Sequence, residues 1–167
     1  SYFDEDRYPL QLLSIILGGN MSSRLFVNIR ERHGLCYFIR ASAELYHDAG
    51  TFVVQAGLDK SRIKDAIKLI MKELEEAKNK GVTEKELQNA KDFLKGKMVL
   101  NLEDSESQAD FFGKQELIYG ELIAPEEKLK LYMKVTTSDI LKVAKKIFDP
   151  KKINLALIGP FKEEKEF

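Results

Sequence analysis

The stretch YFIRASAELYHDAGTFVVQAGL, Tyr37 to Leu58, restricts this chain more than any other. Successive side chains of a strand point to opposite faces. Tyr37, Ile39, Ala41, Ala43 and Leu45 form one face, and Phe38, Arg40, Ser42, Glu44 and Tyr46 the other. Phe52, Val54, Ala56 and Leu58 repeat the period, and HDAG between the two runs is turn chemistry. The pattern predicts an antiparallel hairpin.

Two strands cannot bury a face by themselves, so the rest of the chain must cover them, and most of it reads as helix. YPLQLLSIIL, Tyr8 to Leu17, stops at Gly18-Gly19. Met21, Leu25, Phe26 and Ile29 give a second helix, capped by Asn20 or Ser22 and ending at Gly34. After the hairpin, Ile63, Ala66, Ile67, Ile70, Met71 and Leu74 make an apolar stripe ending before Gly81. Thr83 and Glu86 have capping-box spacing and open a helix through Leu87, Ala90, Leu94 and Met98. A break is expected between Glu103 and Ser107, with helix resuming through Phe111, Phe112, Leu117 and Ile118 to Gly120. Further helices follow Pro125 and Thr136 or Thr137, and INLALIG, Ile153 to Gly159, reads as a strand returning to the sheet. The expected fold is α+β: an antiparallel sheet with helices packed on one face, in a single domain over 1–167. Three strands are few for so many amphipathic helices, so the first strands of the sheet are expected upstream of Ser1. A chain starting at Ser1 reads as a processed product or a piece of a longer polypeptide.

Lys+Arg and Asp+Glu both number 27, giving zero formal charge. That excludes nucleic acid and anionic membrane as main partners, since both select for excess positive charge. No apolar run reaches the roughly 20 residues that span a bilayer, and no signal-peptide pattern is present. Cys36 is the single cysteine. It rules out an internal disulfide and fits a reducing compartment, so a cytoplasmic location is expected.

GGNMSSRLF, Gly18 to Phe26, resembles a phosphate loop by composition, but it matches neither G-x-x-x-x-G-K-[ST] nor G-x-G-x-x-G, and it follows a helix instead of a strand. It reads as a helix-to-helix turn. His33 and His47 are fourteen positions apart and in no zinc motif, so both read as surface residues. Cys36 opens an apolar strand and reads as packed there. ELEEAK and EEKEF read as solvated charged faces. Neither a metal site nor a cofactor site is assigned to this chain. One pair is left. In RERHGLCY, Arg30 ends a helix, Tyr37 opens a strand, and the Gly34 turn between them could aim both at one rim of the sheet. A guanidinium fork and a phenol could hold peptide carbonyls and a developing oxyanion. An Arg paired with a nearby carboxylate and a half-buried Tyr would look the same in sequence.

LGGNMSSRLFVNIRERHGLCY, AGTFVVQAGLD and GVTEKELQNAKDFLKGKMV, in that order, resemble the carboxyl-terminal domain of the pitrilysin/insulinase zinc metallopeptidases, which include the mitochondrial processing peptidases. The resemblance covers about Asp4 to Gly159. It implies paired α+β domains closing around an unfolded peptide, with zinc held by H-x-x-E-H in the amino-terminal half. It also implies that Arg30 and Tyr37 contact substrate near the scissile bond. This chain has no H-x-x-E-H, so the resemblance implies inactivity alone, an amino-terminal zinc-bearing half or subunit as partner, a peptide as substrate, and a homodimer or heterodimer as possible assemblies. The alternative is a non-catalytic structural or assembly subunit of the same family.

Overall fold

The first helix, α1 (Arg7–Gly18), is apolar on every side, and such a helix is stable only when surrounded. A computed structural model, which describes residues 1–161, places it at the centre of the molecule. Leu12, Leu13 and Leu17 are fully buried and Leu10 and Ile16 nearly so, each contributing about 1.5–3 kcal/mol of transfer free energy. On one side α1 lies on β1 (Cys36–Leu45), which pairs antiparallel with β2 (Gly50–Leu58). Ile39 and Ala41 of β1 are buried, with Phe52, Val54 and Ala56 of β2 packed on the same core. Arg40 and Gln55, paired across the strands, remain exposed on the other face.

The closeness of this contact explains Gly18. A Cβ built there would lie 2.3 Å from the Ala41 backbone nitrogen and 2.8 Å from Ala41 Cβ. Glycine is therefore needed for space, since no positive φ is involved.

On its other sides α1 meets α6 (Thr137–Ile147), α3 (Glu84–Asn101) and α5 (Pro125–Met133), while α2 (Ile63–Lys80) packs on α6. The capping box of Thr83 and Glu86 forms as expected, and a second one, Thr136 with Asp139, opens α6. The expected break separates α3 from α4 (Ser105–Tyr119), whose amino end is capped by Asp104. Gln115 holds α4 to the following loop by accepting from Ile123 N at 3.1 Å. The α+β arrangement with helices on one face of an antiparallel sheet is thus what the chain adopts.

Besides Tyr37, taken up below, three local expectations fail. Residues 153–159 form no strand. The alternation is present, but neither β1 nor β2 lends this segment a hydrogen-bonding edge, and Ile158 is fully exposed. Met21 is exposed and does not join Leu25 and Ile29 in the core, because the helix begins only after it. Within ELEEAK, Glu73 is buried, since it falls on the same stripe as Ala66, Ile70 and Ala77. Its carboxylate accepts from Asn28 Nδ2 at 2.6 Å, a partner 45 residues away. EEKEF lies outside the described residues.

The turn after α1 is tied down at both ends. Asn20 Oδ1 accepts from the backbone and hydroxyl of Ser22, each at 2.9 Å. Arg24 grips Glu86 with one edge of its guanidinium, Nε to Oε1 at 2.6 Å and Nη2 to Oε2 at 2.8 Å, and Nη2 also reaches Gly81 O at 3.1 Å. The bond from Arg24, aided by the Thr83 cap, holds the Glu86 carboxyl at about 2, well below its ordinary value of 4.5 and against the opposing effect of burial.

Gly18→Ala is expected to cost about 3 kcal/mol of stability, the upper range for overpacking, measured by urea unfolding. Because the Glu86 pKa is depressed on folding, its contribution is complete above about pH 4.5 and is lost as pH falls towards about 2. Glu86→Gln should therefore lower stability by about 1–2 kcal/mol at pH 7, and the gap between variant and parent should narrow at pH 3.

Candidate functional site

Beyond Arg24 the backbone enters a π-helix, Phe26–Arg32, wider than an α-helix. Inserted π segments are rare and occur frequently at functional sites. Ile29 points into the core. Arg30 faces solvent, with its guanidinium over the Phe26 ring at 4.8 Å from the centroid. No carboxylate lies within ion-pairing distance of it among the described residues. An apolar ring under a cation orients it without neutralising it.

The π-helix ends in a turn at Gly34, whose φ of +58° is readily available only to glycine. Gly34 N donates to Arg30 O and Leu35 N to Ile29 O, both at 3.0 Å. Just before the turn, His33 Nδ1 lies 2.7 Å from Asn28 O, and Asn28 is the residue that Glu73 holds from α2. Leu35 is buried and anchors the far side.

Tyr37 does not follow the alternation expected of it. Cys36 pairs with Leu58 and Phe38 with Gly57, so the register slips at Tyr37 and a β-bulge forms. The bulge removes Tyr37 from the buried face of Ile39 and Ala41 and leaves it 78% exposed beside the exposed Phe38. The opposing glycine accommodates the Phe38 ring: a Cβ at Gly57 would lie 2.6 Å from Phe38 Cε1. Gly57 inside a strand is the sequence signal for this irregularity.

Arg30 and Tyr37 therefore stand on either side of one glycine turn, both exposed. The Arg is not paired with a carboxylate among the described residues, and the Tyr is not half-buried. Cys36 lies between them in sequence, half-buried. Burial pushes its thiol up, with the Arg30 charge opposing, so it is no activated thiolate. The arrangement offers guanidinium and phenol donors to carbonyl or carboxylate oxygens.

A metal does not fit the residues present. His33 precedes β1 and His47 follows it, at opposite ends of the strand, and no cluster of three His, Cys, Asp or Glu able to hold an ion occurs among the described residues. Among them, no helix is long and apolar enough to cross a membrane. A cleft of about 1040 Å³ opens elsewhere, walled by Tyr8, Met98, Phe111, Tyr119, Lys128 and Tyr132 among others, and includes neither Arg30 nor Tyr37.

Comparison with known proteins adds three findings. The family profile described as "Peptidase M16 inactive domain" matches residues 2–94. A Streptomyces coelicolor protein named as an uncharacterized zinc protease is 35% identical over 161 residues, covering 96% of this chain and 35% of the relative. This chain thus spans about a third of the length of the curated relatives it matches. Among solved structures, a conserved protein from Enterococcus faecalis superposes with a TM-score of 0.73 at 30% identity, over 85% of this chain and 33% of that one. A structure described as the peptidase M16 inactive domain from Pseudomonas fluorescens superposes with a TM-score of 0.75 at 24% identity, over 88% and 35% respectively, a likeness of fold.

Proposed function

Because this chain belongs to the peptidase M16 family, as its inactive domain, we propose that it is the carboxyl-terminal-type, substrate-binding half of a zinc-dependent peptidase. The observation that carries the reading is the exposed Arg30 and Tyr37, held on the two sides of the Gly34 turn with no competing carboxylate among the described residues. Zinc belongs to an amino-terminal half, whether joined in one polypeptide or supplied by a different subunit. The relatives' names as zinc proteases and their threefold greater length support that division. Further strands supplied with that half pair along the open edges of the hairpin, and the two halves enclose an unfolded peptide.

In this assembly Arg30 and Tyr37 act on the substrate's oxygens. The guanidinium presents several N–H donors in one plane. It holds a peptide carbonyl near the scissile bond. The Tyr37 hydroxyl donates to the oxygen on which negative charge gathers during hydrolysis. Donors already in place cost no reorganisation at that moment, and losing one such donor commonly reduces turnover by about 10²–10³.

The test is reconstitution with the zinc-bearing half and a quenched fluorescent peptide. This chain alone should bind no zinc and cleave nothing. In the reconstituted enzyme, Arg30→Ala and Tyr37→Phe should each lower kcat by about 10²-fold, with stability of the chain within about 0.5 kcal/mol of the parent, as befits exposed side chains. Full turnover in both variants would instead make the chain a structural half.

A further inference from the structure

We infer that Arg62 is a positioning residue for the Arg30–Tyr37 pair, clamping the turn that joins them from the short 3-10 turn that follows β2. The inference rests on the role proposed above for that pair.

Packing anchors the turn through the buried Leu35 but leaves the glycine itself open: nothing lies within 4 Å of the place a Gly34 Cβ would occupy. Its φ of +58° is held by hydrogen bonds. Two are internal, from Gly34 N and Leu35 N back to the π-helix. The others come from Arg62, whose Nη2 donates to His33 O at 3.1 Å and Nη1 to Gly34 O at 3.5 Å. These carbonyls lie at the carboxyl end of the π-helix, where backbone oxygens lack helical partners and carry partial negative charge. One guanidinium spanning two successive carbonyls is a geometry that a lysine ammonium does not reproduce.

The local chain directs Arg62 to this task. Leu58 closes β2 opposite Cys36, so the segment after β2 emerges beside the turn that enters β1. Asp59 then caps the short 3-10 turn Lys60–Arg62, accepting from Ser61 N and Ser61 Oγ at 2.9 Å each. With Asp59 engaged by Ser61, Arg62 forms no ion pair among the described residues and its fork is committed to the turn. Tyr37 is three residues beyond Gly34 and Arg30 four before it. A rotation at the glycine therefore moves the two donors relative to each other, which Arg62 opposes.

Two measurements test this. In the chain itself, Arg62→Ala should speed amide exchange at Gly34 and Leu35 by about tenfold, leaving the amides of α1 unchanged. In the reconstituted peptidase, Arg62→Ala should lower kcat about tenfold while KM stays within about twofold. Arg62→Lys should restore little of the loss, and Arg62→Ala should add almost nothing to Arg30→Ala. Unchanged exchange at Gly34 and Leu35 would overturn the clamp, whatever Arg30 and Tyr37 do. Faster exchange with full turnover, while Arg30→Ala and Tyr37→Phe are impaired, would overturn its functional role and leave theirs intact. Full turnover in Arg30→Ala and Tyr37→Phe would remove the reading of the pair, and the positioning role with it.

Discussion

The backbone of α1 rests directly on that of β1, and this contact sets the position of everything else. It requires that residue 18 have no side chain, because Ala41 N occupies the space. With the helix seated on the strand, the hairpin gains a buried face and the remaining helices gain an apolar cylinder to surround. Residues 19–35 leave one partner of this contact and return to the other within seventeen positions. Their geometry is therefore measured from a single fixed point. The first glycine of GGNMSSRLF serves that contact, and its arginine ties the loop to the start of α3 through Glu86.

The surface proposed to meet substrate is built by devices that interrupt regular structure at the ends of the elements. A π-helix carries Arg30 over the Phe26 ring, a left-handed glycine reverses the chain, and a bulge turns Tyr37 out of the buried face. Each is a departure that a regular helix or strand would forgo. Buried support lies directly behind them: Ile29 and Leu35 in the core, and Glu73 reaching Asn28 from α2. Exposed donors on a rigid backing are what recognition of peptide oxygens requires.

The sequence displayed the hairpin, the helices and their caps because each rests on a local period or a three-residue spacing. Thr83 with Glu86 and the break near Asp104 are of this kind. It displayed Arg30 and Tyr37 as a spacing and a family likeness, without their exposure. What stayed hidden depends on partners far along the chain. Glu73 looks like one carboxylate in a charged run until Asn28, 45 residues away, meets it. Glu86 was visible as a cap but not as the seat of Arg24, 62 residues away. The alternation of Ile153 to Gly159 reads as a strand, yet alternation records which side chains could be buried and not whether a neighbouring edge is present to bond the backbone.

The two-stranded sheet has consequences for handling the chain in isolation. β1 and β2 bond only to each other among the described residues, so each offers a row of unsatisfied amides and carbonyls along its outer edge. Such edges are templates for pairing with any extended segment, including another copy of themselves. Arg40 and Glu44 put charge on one face of β1, whereas the runs FVVQAGL and YFI are short of it. Colloidal behaviour, more than folding free energy, will thus decide how concentrated a solution of this domain can be. Capping either edge with a complementary strand should act as a solubiliser.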